Sequence, residues 1–266
     1  MVTNTTYAPD GTGYDLSGPA QAPVVVLAHG VGLDRHMWDL QVEALTPTHR
    51  VLRYDMWGHG ASPVRPGAVS IYDFSSQLRV LLKHLAFDRV ALVGFSMGGV
   101  MAQRFVADYP DTVTRLVLMS TVYRRDEEEL RGVRKRLQMT IEQGVAATAD
   151  AAIERWFPVD YGAAHPEVLD AIRRRLLSND PQGYADAYRV FVNADDDIGD
   201  ALRSVTCPAL VITGADDVGS TPVIAQRMAA DLADAQIVIL EGLRHMAPVE
   251  DPARVNAVLL EFLVER

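Results

Sequence analysis

One serine of the sequence has neighbours that favour nucleophilic chemistry. Ser96 is the centre of GFSMG at residues 94–98, a Gly-x-Ser-x-Gly pattern. The apolar run VALV at 90–93 comes directly before it, and a stretch with helical periodicity comes directly after it. A sharp turn from a strand into a helix strains the serine backbone and exposes its hydroxyl at the carboxyl end of the strand. We therefore predict that Ser96 is a nucleophile.

A serine hydroxyl is a weak nucleophile at neutral pH, so it needs a base and a group that orients the base. Of the seven histidines, His245 lies in the loop 241–248, between the last apolar run and the last predicted helix. Asp216 and Asp217 follow another apolar run through a Gly-Ala turn. The order serine, aspartate, histidine is the order that this kind of sheet enzyme uses. We choose Asp217 and keep Asp216 as the alternative.

Backbone amides are the natural donors for the negative charge that develops on an attacked carbonyl, and each is typically worth ~3 kcal/mol. The amide of Met97 begins the helix after the serine. The turn HGVG at 29–32 follows the first central apolar run, and its best-placed amide is that of Val31. His29 in this turn, and His59 in GHG at 58–60, are as consistent with a structural role as with a catalytic one.

The elements that must position these groups alternate along the chain. Apolar runs predict strands buried on both faces, and amphipathic segments between them predict crossover helices, so we expect a doubly wound, mostly parallel α/β sheet. The alternation stops between about residues 123 and 197, where only helical spacing is present. We predict a sheet domain from residues 1–122 and 198–266, with 123–197 inserted as a helical lid. The predicted strands cover 24–29, 51–55, 90–95, 115–120, 209–213 and 236–240; the predicted helices cover 35–45, 72–86, 97–109, 222–232 and 252–264.

Composition limits the classes of partner. The chain has 266 residues and a formal net charge of −10, which argues against nucleic acid because there is no basic field to displace counterions. No apolar run is long enough to span a membrane, the first residues do not resemble a secretory signal, and the single Cys207 suits a reducing cytoplasm. Metal-ligand spacings and phosphate-binding glycine loops are missing from the sequence, so we expect no cofactor and no metal. The sequence leaves the oligomeric state open.

With these motifs the sequence resembles the α/β-hydrolase superfamily over nearly its whole length. The matching pieces are the HGVG turn, DMWGHGAS at 55–62, the serine pattern, GADD at 214–217, and the histidine loop 242–252. In that family the acid commonly falls three residues after the turn glycine, which here selects Asp217. Arg244 stands where many members have glycine, and this departure bears on substrate contacts.

Within the superfamily the sequence looks most like the 3-oxoadipate enol-lactonases, through VLRYD at 51–55, ERWF at 154–157 and NDPQGY at 179–184. The resemblance implies a hydrolase that cleaves a small-molecule ester or lactone through an acyl-enzyme, with an enol-lactone favoured. A carbon–carbon bond hydrolase or a perhydrolase would have the same triad. A ligand sensor with a slow triad is a further alternative.

Candidate substrate contacts come from the predicted lid and the first helix. If the substrate carries carboxylates, an acidic protein needs a local cation, and Arg124, Arg125 and Arg155 are the candidates. Trp38 and Trp156 are candidates for the pocket wall. The simpler interpretation is that the arginines are solvated and that the tryptophans belong to the core.

Overall fold

The computed structural model describes residues 5–65, 67 and 70–264, so the first four residues of the polar opening lie outside the described residues. Its centre is an eight-stranded sheet with the order β1-β2-β4-β3-β5-β6-β7-β8. Strands β1 and β2 pair antiparallel with each other, β2 also pairs antiparallel with β4, and the remaining pairs are parallel. The strands are β1 Thr6–Tyr7, β2 Gly13–Ser17, β3 Val24–Ala28, β4 Arg50–Tyr54, β5 Val90–Phe95, β6 Val113–Met119, β7 Ala209–Gly214 and β8 Ala235–Leu240.

The inner strands are apolar on both faces because helices cover both sides of the sheet. Every residue of β5 and β7 is buried, and so is all of β3 after its first residue. A parallel sheet requires such continuous apolar runs, since neither face contacts water. The predicted mostly parallel α/β sheet is confirmed.

The helices begin and end close to the predicted positions, with one difference. The segment predicted as one helix over 35–45 starts as a 3₁₀ turn, Arg35–Trp38, because the Asp34 side chain accepts from the His36 amide and caps a tighter turn. The α-helices are α1 Asp39–Leu45, α2 Ile71–His84, α3 Met97–Asp108, α4 Glu127–Gln143, α5 Ala146–Trp156, α6 Val159–Ala164, α7 Pro166–Leu177, α8 Pro181–Ile198, α9 Pro222–Asp231, α10 Ala247–Glu250 and α11 Pro252–Leu263.

The helices outside the segment between β6 and β7 pack on the sheet and on one another. Helix α3 packs on β5 and β6 and against α2, α9 packs on β7 and β8, and α1 packs against α11. Among the described residues, no helix is long and apolar enough to cross a membrane.

Five consecutive helices, α4 to α8, lie between β6 and β7, a segment whose residues are all described and which contains no strand. We call them the insertion helices. Helix α4 packs against α5 and α8, while α8 also contacts α2 and α3 of the sheet domain. The insertion helices therefore rest on α2 and α3 through α8.

The strand order places the ends of β3 and β5 side by side. The chain leaves β3 to form β4 on one side, then returns to form β5 on the other side. Open α/β sheets bind ligands outside the carboxyl ends of strands at such a reversal of strand order. The turn at 29–32 and Ser96 both follow strands at this point.

Candidate active site

Ser96 has a backbone conformation that is rare for a residue with a side chain. Its φ is 51° and its ψ is −117°, between β5 and the first residue of α3. Such a conformation costs about 1–3 kcal/mol and persists where the surroundings enforce it. The Ser96 amide donates to the Met119 carbonyl at 3.0 Å, and the Thr121 hydroxyl donates to the Ser96 carbonyl at 2.6 Å. Hydrogen bonds from β6 and the residues after it therefore hold the turn.

Two glycines make room for this turn. A Cβ at Gly94 would lie 2.4 Å from the Gly98 carbonyl oxygen, and a Cβ at Gly98 would lie 2.4 Å from the Ala28 carbonyl oxygen. Real Cβ atoms do not approach backbone oxygens so closely, so any larger residue would force the start of α3 away from β3. The Gly-x-Ser-x-Gly pattern is thus required by packing as well as by the turn itself.

His245 is bonded to Asp217. The distance from His245 Nδ1 to Asp217 Oδ2 is 2.7 Å, and both side chains are buried. An ionised carboxylate can only accept, so Nδ1–H is the donor and Nε2 is left to accept a proton. The structure places Asp217 in this position, while Asp216 is exposed.

The Asp217 carboxylate is kept ionised by its hydrogen bonds. Burial alone would raise its pKa, but the pKa is lowered because His245 and the amides of Ser220 and Gly219 favour the charged form. The two amides donate to Asp217 Oδ1 at 2.9 and 2.8 Å. One carboxyl oxygen is therefore fixed by the loop after β7, and the other is left for the imidazole.

Aromatic rings hold the imidazole from two sides. The Phe95 ring centroid lies 4.9 Å from that of His245, and the Trp156 ring stacks on it at 5.9 Å. Trp38 is fully buried and packs edge-on against Phe95 at 6.2 Å. The predicted pocket residue Trp156 thus contacts the predicted base, whereas Trp38 lies behind Phe95 and outside the cavity.

The turn after β3 lies against the serine. A Cβ at Gly30 would come within 3.2 Å of the Ser96 Cβ, so the next residue, Val31, lines the same cavity as Ser96. Among the described residues, neither the Val31 amide nor the Met97 amide has a hydrogen-bond acceptor. Both amides are thus available to a substrate oxygen. The Met97 amide also lies at the N-terminus of α3, where the helix dipole favours negative charge.

His29 and His59, the histidines of the two glycine turns, are bonded to the backbone. His29 Nε2 accepts from the Met56 amide at 2.9 Å, and its Nδ1 donates to the Gly30 carbonyl at 2.8 Å. Burial lowers the pKa of His29, and burial together with the neighbouring His29 lowers the pKa of His59 to about 3. Both rings are therefore neutral at physiological pH, and His29 orders the turn that carries Val31.

A cavity of about 290 Å³ joins the serine and histidine to the insertion helices. Ser96, His245 and Val31 lie on its sheet-domain side. The segment between β6 and β7 contributes aromatic, cationic and acidic side chains: Arg125, Glu128, Glu129, Arg136, Arg155, Trp156, Tyr184, Tyr188 and Phe191. The cavity has the size and the mixed lining of a site for a small organic molecule.

The predicted lid arginines divide into two groups. Arg125 and Arg155 line the cavity. Arg124 does not, because it forms ion pairs with Asp200 and Asp231. Its neighbour Arg125 pairs with Asp195 at 2.7 Å.

Several residues of the site were missed by sequence reasoning. Arg136, Tyr184 and Tyr188 reach the cavity from α4 and α8, and their helical spacing carries no signal that separates a cavity face from a solvated one. Arg244 donates to the Glu154 and Phe157 carbonyls at the end of α5. The residue that departs from the family pattern therefore ties the histidine loop to the insertion helices.

A buried ion network holds the 3₁₀ turn Arg35–Trp38 against β2 and the end of β4. The Asp55 carboxylate accepts from the Arg35 amide and the Ala61 amide and pairs with the Arg35 guanidinium. Arg35 also pairs with Asp15 at 2.9 Å. These bonds connect β2, the end of β4 and the 3₁₀ turn after β3. They explain why the motif at 55–62 begins with an aspartate. From the sequence alone, this motif was recognised only as a match to the family.

Comparisons with known proteins identify the family of the chain. A model of the alpha/beta hydrolase family matches residues 25–258. The chain belongs to the alpha/beta hydrolase family. The expected hydrolase resemblance is therefore confirmed.

Three relatives are informative. The chain is 31% identical to (E)-2-((N-methylformamido)methylene)succinate hydrolase of Acinetobacter baylyi, over 90% of this chain and 89% of the relative. The enol-lactonase from Burkholderia xenovorans LB400 is 31% identical in sequence to this chain. Its crystal structure superposes with a TM-score of 0.90 over 98% of this chain and 100% of the enol-lactonase chain. A thermophilic esterase from Thermogutta terrifontis, solved with malate bound, is 32% identical with a TM-score of 0.86, over 97% and 96% of the two chains. The three relatives are named as a hydrolase, an enol-lactonase and an esterase.

Proposed function

We propose that this hydrolase cleaves a carboxylic ester or a lactone through an acyl-enzyme formed on Ser96. The observation that carries the proposal is the buried bond from His245 Nδ1 to Asp217, at a cavity that also contains Ser96. This bond leaves Nε2 as the proton acceptor in the cavity. The enol-lactonase and esterase relatives support the same class of substrate.

In the proposed reaction, His245 Nε2 takes the proton of the Ser96 hydroxyl while the serine oxygen attacks the acyl carbon. The Val31 and Met97 amides bind the oxygen that becomes negative. The carbon–oxygen bond to the leaving group then breaks, and His245 returns the proton to the leaving oxygen. Water, deprotonated by the same histidine, cleaves the acyl-enzyme and regenerates Ser96.

An enol-lactone is the favoured substrate within this class. Its leaving group is an enol, which tautomerises to a ketone and makes ring opening effectively irreversible. In a lactone the leaving group stays attached to the acyl chain, so the cavity must hold both parts at once. A cavity lined by both the sheet domain and the segment between β6 and β7 suits a compact substrate of this kind.

The test is hydrolysis of short-chain nitrophenyl esters and of a lactone panel that includes a muconolactone-derived enol-lactone. We compare the native protein with Ser96→Ala and with Ser76→Ala, a matched change at an exposed serine. We expect Ser96→Ala to abolish turnover, Ser76→Ala to leave it unchanged, and the native protein to prefer the enol-lactone. Turnover that survives Ser96→Ala would refute the triad. Ester turnover without a lactone preference would refute the substrate assignment.

A further inference from the structure

The link between α7 and α8 contacts the turn that carries Val31, one of the two amides proposed to bind the oxyanion. Asn179 Nδ2 donates to the Gly32 carbonyl at 2.9 Å. Among the described residues, no other donor reaches this carbonyl oxygen. Asn179 begins the segment NDPQGY at 179–184, which takes no part in the triad. The insertion helices therefore touch the site at the residue that follows the Val31 amide.

Side chains of α7 and α8 also pack on this glycine. A Cβ at Gly32 would lie 2.5 Å from Tyr184 Cε2 and 2.7 Å from Leu176 Cδ2, and the φ of Gly32 is 76°. Two residues after the glycine, Asp34 Oδ2 pairs with Arg175 Nε at 2.9 Å. The corner formed by α7 and α8 thus fits so closely on the turn that only glycine is accommodated at position 32.

The bond to the Gly32 carbonyl fixes the direction of the Val31 amide through two planar peptide groups. In a trans peptide the C=O and N–H bonds point in opposite directions within one plane, and no peptide bond of the described residues is cis. Asn179 holds the Gly32 carbonyl, so the Leu33 amide of the same peptide points the other way. The Leu33 amide donates to the Gly30 carbonyl at 3.2 Å, and the Gly30 carbonyl shares its peptide plane with the Val31 amide. The direction of the Val31 amide therefore depends on the Asn179 bond.

The sheet domain holds the same turn from the other side. His29 Nδ1 donates to the Gly30 carbonyl at 2.8 Å, and His29 Nε2 accepts from the Met56 amide at 2.9 Å. The Gly30 carbonyl thus has two donors, while the Val31 amide has no acceptor among the described residues. Hydrogen bonds in such a chain polarise one another, which makes the free N–H a stronger donor.

We propose that Asn179 is a positioning residue of the oxyanion hole, which aims the Val31 amide at the substrate oxygen through the Gly32 carbonyl. This role rests on the proposed function. Donors stabilise a transition state best when they already point at the oxygen on which charge develops. A misplacement of about 1 Å can cost on the order of 100-fold in rate. The insertion helices therefore act in transition-state stabilisation as well as in lining the cavity.

Asn179→Ala and Asn179→Asp test this role, with Ser178→Ala as the matched control. Aspartate keeps the shape of the side chain, but its carboxylate has no N–H to donate. Asn179 Nδ2 also donates to the Arg175 and Leu176 carbonyls at the end of α7, so lost helix capping must be separated from the lost bond to the turn. The exposed Ser178 makes this separation, because its hydroxyl donates to the Arg175 carbonyl at 2.9 Å. In the described structure, none of the hydrogen bonds of Ser178 reaches the turn at 29–32.

The assay measures kcat and KM for 4-nitrophenyl acetate and 4-nitrophenyl pentanoate, per active site titrated with diethyl 4-nitrophenyl phosphate. Both Asn179 variants should lower kcat and kcat/KM by the same factor, roughly 10- to 100-fold, and equally for the two esters, because the weakened interaction belongs to the transition state. The inhibition constant of phenylboronic acid, whose tetrahedral serine adduct places an oxygen in the oxyanion hole, should rise by a similar factor. Ser178→Ala should keep the native kinetic values and lower only the melting temperature.

A loss of less than about threefold in folded Asn179 variants would overturn this role, and so would a loss confined to KM or to one ester. An equal loss in Ser178→Ala would assign the effect to the end of α7 and would overturn it too. Each of these results leaves the proposed function intact if Ser96→Ala abolishes turnover of both esters. Turnover that survives Ser96→Ala would instead refute the proposed function.

Discussion

Replacing Asp217 by asparagine directly tests the orientation of His245, the base of the proposed mechanism. The carboxylate accepts three hydrogen bonds, two at Oδ1 from backbone amides and one at Oδ2 from His245 Nδ1. Asparagine keeps an oxygen for the two amides, so the loop after β7 should retain its shape. The nitrogen that replaces Oδ2 can only donate, which forces the imidazole to present an unprotonated Nδ1 and to carry its proton on Nε2. The base would then be blocked at the atom that must accept the serine proton.

We expect Asp217→Asn to lower kcat about 10⁴-fold, the loss known for the same change in a serine protease triad. The melting temperature near neutral pH should fall by only a few degrees, because two of the three hydrogen bonds remain. The assay is steady-state hydrolysis of a nitrophenyl ester beside thermal unfolding. Asp216→Asn, at the exposed neighbour, is the matched control and should behave as the native protein. A kcat above one-tenth of the native value in Asp217→Asn would refute this account of the triad.

The same substitution has an expected effect on stability in acid. The pKa of Asp217 is lowered in the fold, where His245 and two amides stabilise its charge against the effect of burial. An acid with a depressed folded pKa contributes stability that is complete above its unfolded value of about 3.9 and is lost as the pH falls through the folded value. Below about pH 4, the melting temperature of Asp217→Asn should therefore depend less on pH than that of the native protein. The same slope of melting temperature against pH in both proteins would contradict a lowered pKa of Asp217.

Three further changes have defined outcomes. Burial raises the pKa of Glu250 to about 7 from 4.5. The ionisation of Glu250 should therefore lower the stability of the fold as the pH rises from 4.5 to about 7. In the native protein the melting temperature should fall over this range, and in Glu250→Gln this fall should be missing. Gly98→Ala should lower stability by about 1–3 kcal/mol or more in urea unfolding and abolish turnover, because its Cβ would meet the Ala28 carbonyl oxygen at 2.4 Å. Arg244→Gly should lower the melting temperature by removing two bonds to the end of α5, and an unchanged value would show that those bonds contribute nothing.

The sheet and the positions of the loops that carry Ser96, Asp217 and His245 can be predicted from the sequence because their signals are local. A strand buried on both faces must be continuously apolar, and the Gly-x-Ser-x-Gly turn needs its glycines for close backbone contacts that any larger residue would break. The order of the loops along the chain then brings Ser96, Asp217 and His245 to one edge. The choice between Asp216 and Asp217 depended on family resemblance, since adjacent residues of a loop point in directions that only the folded backbone determines.

The insertion helices show where local signals end. Arg124 and Arg125 are consecutive, yet Arg124 has a positive φ of 47° and turns toward Asp200 and Asp231, while Arg125 reaches the cavity. Arg136 belongs to a run of charges on α4 that looks solvated along its whole length. Its side chain lines the cavity because α4 packs against α5 and α8, and that rotation of the helix is set by tertiary contacts. A charge pattern therefore identifies which helix is exposed, but which of its side chains line the cavity becomes visible only when the packing of the helix is known.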